Sequence, residues 1–292
     1  MTSRDTAPPS ESSIVGRPET VRADDGVDLA ATRYRPSGAP RAALLVAAAT
    51  AVPQGYYRRF AQAAAEAGFE TLTFDYRGIA ASAPERLRGY RMSFADWAEH
   101  DIPAAVAALE GSGPVHVVGH SYGGSAFGLV PQRGIASLTA YGAGTGWHGW
   151  MPRSERLRVL AMWHLIGPLT TAALGYLPWS RFFGGADLPL GAYRGWKRWV
   201  SFPRFAVDDP RMPDAAERYA AVRVPITSIT ATDDRWATPR SRDALAATYT
   251  GAEIVTRDVA PADLGVSEIG HMGYFRPAAA PLWRELFTRL GG

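Results

Sequence analysis

"VHVVGHSYGGSAF", Val115 to Phe127, decides how this chain is read. A short apolar run ends in Gly119-His120-Ser121-Tyr122-Gly123, a Gly-x-Ser-x-Gly pattern, and the small residues that follow can open a helix. A serine held on a sharp strand-to-helix turn must adopt a strained backbone. Small residues two positions before and after it relieve the crowding and leave its hydroxyl exposed at the helix N-terminus. An ordinary serine in a glycine-rich turn has the same five residues, so the flanking segments must separate the two readings.

Upstream, "ETVRADDGVDLAATRYRP" reads as a hairpin turning at Asp24-Asp25-Gly26. The near-continuous apolar run 41–50 has the pattern of a strand buried on both faces. A helical stretch, "YYRRFAQAAAEAG", follows and stops at Gly68; 70–76 is the next strand, and 93–111 the next helix with Ser93 as N-cap. Strands are expected at 115–120, 135–144, 226–234 and 252–260, with helices between the last two and at the C-terminus. Strands alternating with helices at this spacing predict an α/β fold with a mostly parallel sheet covered on both faces.

The interval 145–215 breaks the alternation. It holds six of the nine tryptophans and helical patches cut by Pro168, Pro178, Pro189 and Pro203. An aromatic-rich helical insertion between sheet strands reads as a cap over a cleft at the strands' C-terminal ends. The expected organisation is a disordered segment 1–15, a core 16–144, a helical cap 145–215 and a second core part 216–292. Within the cap, Trp147, Trp150 and Trp163 are the candidate substrate contacts.

A serine hydroxyl is a weak nucleophile at neutral pH and needs a base, which in turn needs an orienting carboxylate. Of the six histidines, only His271 lies beyond the last expected strand, in the glycine-flanked loop "SEIGHMGYF". "ITSITATDDRWATP" offers two acids; Asp234, before Ala-Thr-Pro, is preferred to Asp233. Two N–H groups must also face the oxygen that becomes negative during acyl transfer. Tyr122 supplies one, and Val52 in "ATAVPQ" the other, with Ala51 as the alternative.

Together, "GHSYGG" (119–124), "DYRGIAAS" (75–82), "DDRWATP" (233–239) and "GHMGYFR" (270–276) make the chain resemble the α/β-hydrolase superfamily over nearly its whole folded length. It is most similar to predicted bacterial α/β hydrolases with a Trp-rich cap. The resemblance implies an eight-stranded, mostly parallel sheet, a Ser121–His271–Asp234 triad and no cofactor. Family patterns favour glycine where this chain has Ala51 and Ala80, positions that prefer φ > 0, where a methyl costs stability.

The expected activity is hydrolysis of an ester, thioester or amide of a small to medium hydrophobic molecule, by way of an acyl-enzyme. Acyl transfer or cyclisation from the same acyl-enzyme is the alternative, and a non-catalytic ligand-binding protein on the same fold is a third reading. Composition narrows the field. The formal charge is +3, Lys197 is the sole lysine and no basic block is present, so neither nucleic acid nor a membrane is an expected partner. The absence of cysteine removes thiol nucleophiles, disulfides and Cys-ligated zinc, and no His/Asp/Glu cluster has metal-ligand spacing. The N-terminus lacks an apolar signal region and the run at 41–50 is too short to span a bilayer, so a cytoplasmic protein is expected.

Overall fold

The computed structural model describes residues 14–291. A hairpin of β1 (Arg17–Arg22) and β2 (Asp28–Tyr34) leads into β3 (Ala42–Ala47), α1 (Arg58–Glu66), β4 (Phe69–Phe74), α2 (Ile102–Ala107) and β5 (Val115–His120). The one-turn helix α3 (Tyr122–Ser125) and β6 (Ile135–Tyr141) follow. An insertion comprises α4 (Arg153–Ala161), α5 (Gly167–Leu174), β7 (Tyr176–Leu177), α6 (Ser180–Phe183), β8 (Leu188–Pro189) and α7 (Leu190–Trp199). Then come α8 (Ala215–Ala221), β9 (Ile226–Ala231), α9 (Pro239–Ala246), β10 (Ile254–Val259) and α10 (Ala280–Gly291).

Eight strands form one sheet in the order β1-β2-β4-β3-β5-β6-β9-β10, and every pairing is parallel except those made by β2. The interior strands β3 and β4 are buried at every residue, which is why they read as unbroken apolar runs. From β3 the chain steps one way to β4; from β4 to β5, and onward to β6, it steps the other way. Right-handed crossovers in opposite directions put helices on opposite faces. Thus α1 covers one face, where Phe60 meets Trp283 and Phe287 of α10, while α2, α3 and α9 cover the other. The reversal also opens a crevice between the C-terminal ends of β3 and β5, the place where open α/β sheets bind ligands.

The helix expected at 93–111 is shorter and begins with a π turn over Trp97–Asp101. Pro103 has no N–H for Glu99 and its ring would crowd that carbonyl, so the ladder widens one turn earlier. Ser93 caps only the preceding turn, its Oγ accepting from Ala95 N at 3.2 Å. The same device answers Pro168: a π turn over Met162–Ile166 carries α4 into α5 without the expected break. The continuous run Arg153–Leu174 has 22 residues and a mean hydropathy of 1.3 in its most apolar stretch. By length and composition it could cross a bilayer, a possibility the charges near its start hide from the sequence. Here it buries Val159, Met162 and Trp163 against the rest of the protein.

The disorder expected for 1–15 lies outside the described residues except at Ile14 and Val15. Ile14 packs beside Tyr34, Ala61 and Ala65 and accepts a hydrogen bond from Gln62.

Candidate active site

Ser121 follows the last residue of β5 with φ +50° and ψ −111°, a conformation that L-residues avoid. The glycines at −2 and +2 are sterically required. A Cβ on Gly123 would stand 2.1 Å from Ala47 O, and one on Gly119 2.6 Å from Gly124 N. The turn is held by Ser121 N donating to Tyr141 O (3.0 Å) and Gly123 N to Ala48 O (3.2 Å).

His271 Nε2 lies 2.9 Å from Ser121 Oγ, and His271 Nδ1 lies 2.8 Å from Asp234 Oδ2. Asp234 is buried and its acceptor sites are filled. Oδ1 takes the N–H groups of Trp236 (2.8 Å) and Ala237 (2.9 Å), while Oδ2 takes His271 and the Tyr274 hydroxyl (3.0 Å). Burial alone would raise its pKa; the imidazole and these donors outweigh burial and hold the carboxyl below its ordinary value. It therefore accepts from Nδ1–H, which leaves the Nε2 lone pair facing the serine. Asp233 has a different task, accepting from Ile269 N (2.9 Å) and Gly270 N (3.1 Å) and so fixing the loop that carries His271.

The turn after β3 departs from expectation. Val52 N bonds back to Ala49 O at 3.2 Å, closing a turn whose third residue, Ala51, has φ +63° while Thr50 stays at negative φ: the signature of a type II turn. Val52 therefore has no free donor. Among the described residues, the N–H groups of Thr50, Ala51 and Tyr122 have no acceptor, and Thr50 and Tyr122 border the same small cavity as Ser121. Asp75 pins this turn to the "DYRGIAAS" segment, accepting from Gln54 N (2.7 Å) and Ala81 N (3.2 Å). Ala80 also has positive φ, +44°.

Both alanines thus sit where glycine fits better. An L-residue in the left-handed region costs about 1–2 kcal/mol, partly offset by the unfolded-state entropy of glycine. Ala51→Gly is expected to raise unfolding stability by about 0.5–1 kcal/mol in urea titration. A loss of stability would mean that the methyl's packing outweighs its strain.

A sequence profile described as the alpha/beta hydrolase family matches residues 28–280. The chain belongs to the alpha/beta hydrolase family. Among solved structures, this α/β hydrolase is similar to an esterase (EaEST) from Exiguobacterium antarcticum, at 14% identity, TM-score 0.63, and coverage of 94% of this chain and 100% of that one. It is also similar to the Pyrococcus furiosus esterase Pf2001, at 13% identity, TM-score 0.58, and coverage of 97% and 95%. Hypothetical protein PA2218 from Pseudomonas aeruginosa matches at 16% identity, TM-score 0.64, and coverage of 97% and 94%. At such identities the likeness is one of fold. A search of curated protein sequences finds no match.

In this α/β hydrolase, Ser121 stands where two cavities meet. A cleft of about 750 Å³ runs past Val52, Tyr56, Trp179, Phe183 and Met272. A chamber of about 30 Å³ lies behind the serine, against Phe94, Tyr122, Val200 and Phe205. Thr50, Trp196, Trp236 and His271 border both.

None of the three expected substrate contacts lines either cavity. Trp147 packs edge-on against Trp150, whose face is covered by Arg240 at 3.8 Å. Trp163 is turned inward against Tyr193 and Trp196. The aromatic walls come from other positions, Trp236 above all. Its ring faces His271 at 6.3 Å with the planes inclined by 30°, and its indole N–H reaches Glu155 of α4 at 3.0 Å. The sequence held one signal for Trp236 and Tyr274, since each lies two or three residues from the acid or the histidine.

His120 likewise sits inside the elbow beside Ser121; for Tyr57 there was no signal. Ala49 N donates to Tyr57 Oη (2.8 Å), Tyr57 to His120 Nδ1 (2.9 Å), and His120 Nε2 to His271 O (2.9 Å). This chain ties the turn after β3 to the histidine loop. Burial pushes the His120 pKa down to about 3, so it stays neutral and keeps one donor and one acceptor. Among the described residues, no group of three or more His, Cys, Asp or Glu is placed to hold a metal.

Proposed function

We propose that this protein is a serine esterase whose nucleophile is Ser121, with His271 as general base and acid and Asp234 as its orienting carboxylate. The observation that carries the reading is the unbroken contact chain from Ser121 Oγ through both nitrogens of His271 to Asp234, at 2.9 and 2.8 Å, opening on an apolar cleft.

Ser121 Oγ attacks the ester carbonyl as its proton passes to His271 Nε2. The carbonyl π pair moves to oxygen, which accepts from the N–H groups of Thr50 and Tyr122. Collapse restores the carbonyl and expels the alkoxide, which takes the proton from His271. Water then attacks the acyl-enzyme, giving its proton to His271; Ser121 leaves, regains that proton, and the acid departs. Asp234 remains ionised throughout and stabilises the imidazolium. The insertion acts as a cap, with Trp179, Phe183 and Trp196 shielding the reaction from bulk water.

Thioesters and amides would follow the same steps. Transfer to an acceptor other than water shares every step up to the acyl-enzyme and differs only in product. A cytoplasmic location completes the reading.

The test is intact-mass measurement after treatment with a fluorophosphonate, followed by an ester panel. A single adduct on the parent protein, absent from Ser121→Ala, with free acid as product, is the expected result. Failure of the folded parent to react would sink the reading.

A further inference from the structure

The two cavities at Ser121 differ about twenty-five-fold in volume, which constrains an ester's two halves differently. One buried water needs roughly 10–15 Å³. The inner chamber, at about 30 Å³, therefore has space for two waters, or for one or two carbons beyond a carbonyl. The outer cleft, at about 750 Å³, is large enough for a fused-ring or long-chain group and is lined mainly by apolar side chains.

Which half goes where follows from the proton inventory of the serine esterase reading, on which this inference rests. The leaving oxygen must meet His271 Nε2, so the leaving group lies on the histidine side. His271 borders both cavities, but the residues that follow it in its loop, Met272 and Arg276, line only the outer cleft, which we take as that side. The inner chamber lies on the side of α3 and of the β6–α4 connection, lined by Tyr122, Ser125, Gly144 and Thr145.

Phe94 and Phe205 both line the inner chamber, with Trp199 5.1 Å from each ring. Phe205 is a bulky residue at φ +59°, a conformation expected to be costly away from glycine. It is buried, and the backbone around it is held by Asp208, which accepts from Arg204 N at 2.9 Å and pairs with the Arg204 guanidinium at 2.6 Å. The local fold thus holds this ring against the chamber despite the strain.

We propose that the preferred substrates are esters of a short acid, acetyl to propionyl, with a bulky apolar alcohol, and that Phe205 sets the acyl limit. Two series of esters test this: 4-nitrophenyl acetate, butyrate and octanoate at constant leaving group, and acetates of methanol, benzyl alcohol and 2-naphthylmethanol at constant acyl group. In the first series, kcat/KM is expected to fall by about a hundredfold from acetate to octanoate, because a packed wall rejects added methylenes. In the second it is expected to rise with alcohol size. Phe205→Ala should raise the octanoate-to-acetate ratio at least about tenfold, and Phe205→Leu, a gentler change that keeps the core filled, should raise it less.

Equal rates on acetate and octanoate would overturn the proposal, as would preference for long-chain methyl esters or an unchanged ratio in folded Phe205→Ala and Phe205→Leu. If no ester were turned over and no fluorophosphonate adduct formed, the serine esterase reading itself would fall, and this proposal with it.

Discussion

Ser121→Ala is expected to lower kcat on any ester substrate by about 10⁵- to 10⁶-fold, the scale seen when the nucleophile of a coupled triad is removed. In the proposed mechanism Ser121 supplies the atom that becomes covalently bonded, and no second hydroxyl stands within reach of His271 Nε2 among the described hydrogen bonds. The residue keeps its Cβ in the alanine variant, so the strain of φ +50° persists and stability should barely move. Ser121→Gly releases that strain as well. It should be equally inactive but more stable by about 1 kcal/mol, the pattern of a site that trades stability for function. Rates measured on the same preparations as urea titrations separate the two effects. More than one per cent residual kcat in Ser121→Ala would exclude this serine as nucleophile.

Asp234→Asn should cost about 10⁴-fold in kcat, because the carboxylate selects the imidazole tautomer. The site makes the substitution unusually harsh. Each carboxylate oxygen faces two donors, Trp236 N and Ala237 N on one side, His271 Nδ1 and Tyr274 Oη–H on the other. Whichever way an asparagine is turned, its NH₂ meets a donor pair. Stability should fall too, by about 1–3 kcal/mol for a buried group left mismatched. The pH dependence has a definite sign. The folded-state pKa of Asp234 is depressed, so its contribution is present above the ordinary carboxylate range and lost as pH falls through the depressed value. The stability gap between parent and Asp234→Asn should therefore narrow on acidification. Asp233→Asn, which disturbs only the support of the histidine loop, should cost far less. A kcat in Asp234→Asn within tenfold of the parent would remove Asp234 from the role assigned to it.

Much of this was legible in one dimension because the relevant constraints are local. Burial on both faces writes an unbroken apolar run at β3 and β4, and the sharp bend at Ser121 requires glycines at fixed offsets. The positive φ of Ala51 and Ala80 was anticipated through the family resemblance, whose patterns favour glycine at both positions. The elements misjudged depend on how the backbone answers a local obstacle. Pro168 read as a cut between helical patches, and Pro103 fell inside the helix expected at 93–111, yet each is absorbed by a π turn.

Side-chain direction in the insertion was out of reach for a related reason. The π turn at Met162–Ile166 changes the helical phase, and Trp163 faces the interior beside Tyr193 and Trp196 instead of the cleft. Val52 failed as a donor because a single backbone bond to Ala49 consumed its N–H, a choice made between neighbouring amides of one turn.

By itself, the sequence determined the α/β alternation and the bend at Ser121 and singled out the residues proposed as base and acid, because periodicity, glycine spacing and chain order carry that information. Tertiary structure alone decided which amides stay free, which tryptophans line the cleft, and that two cavities of unequal size meet at one hydroxyl. Those outcomes depend on distances between segments far apart in the chain, from Thr50 to Phe205 and His271, and such distances are set only when the sheet's reversal point brings their loops together.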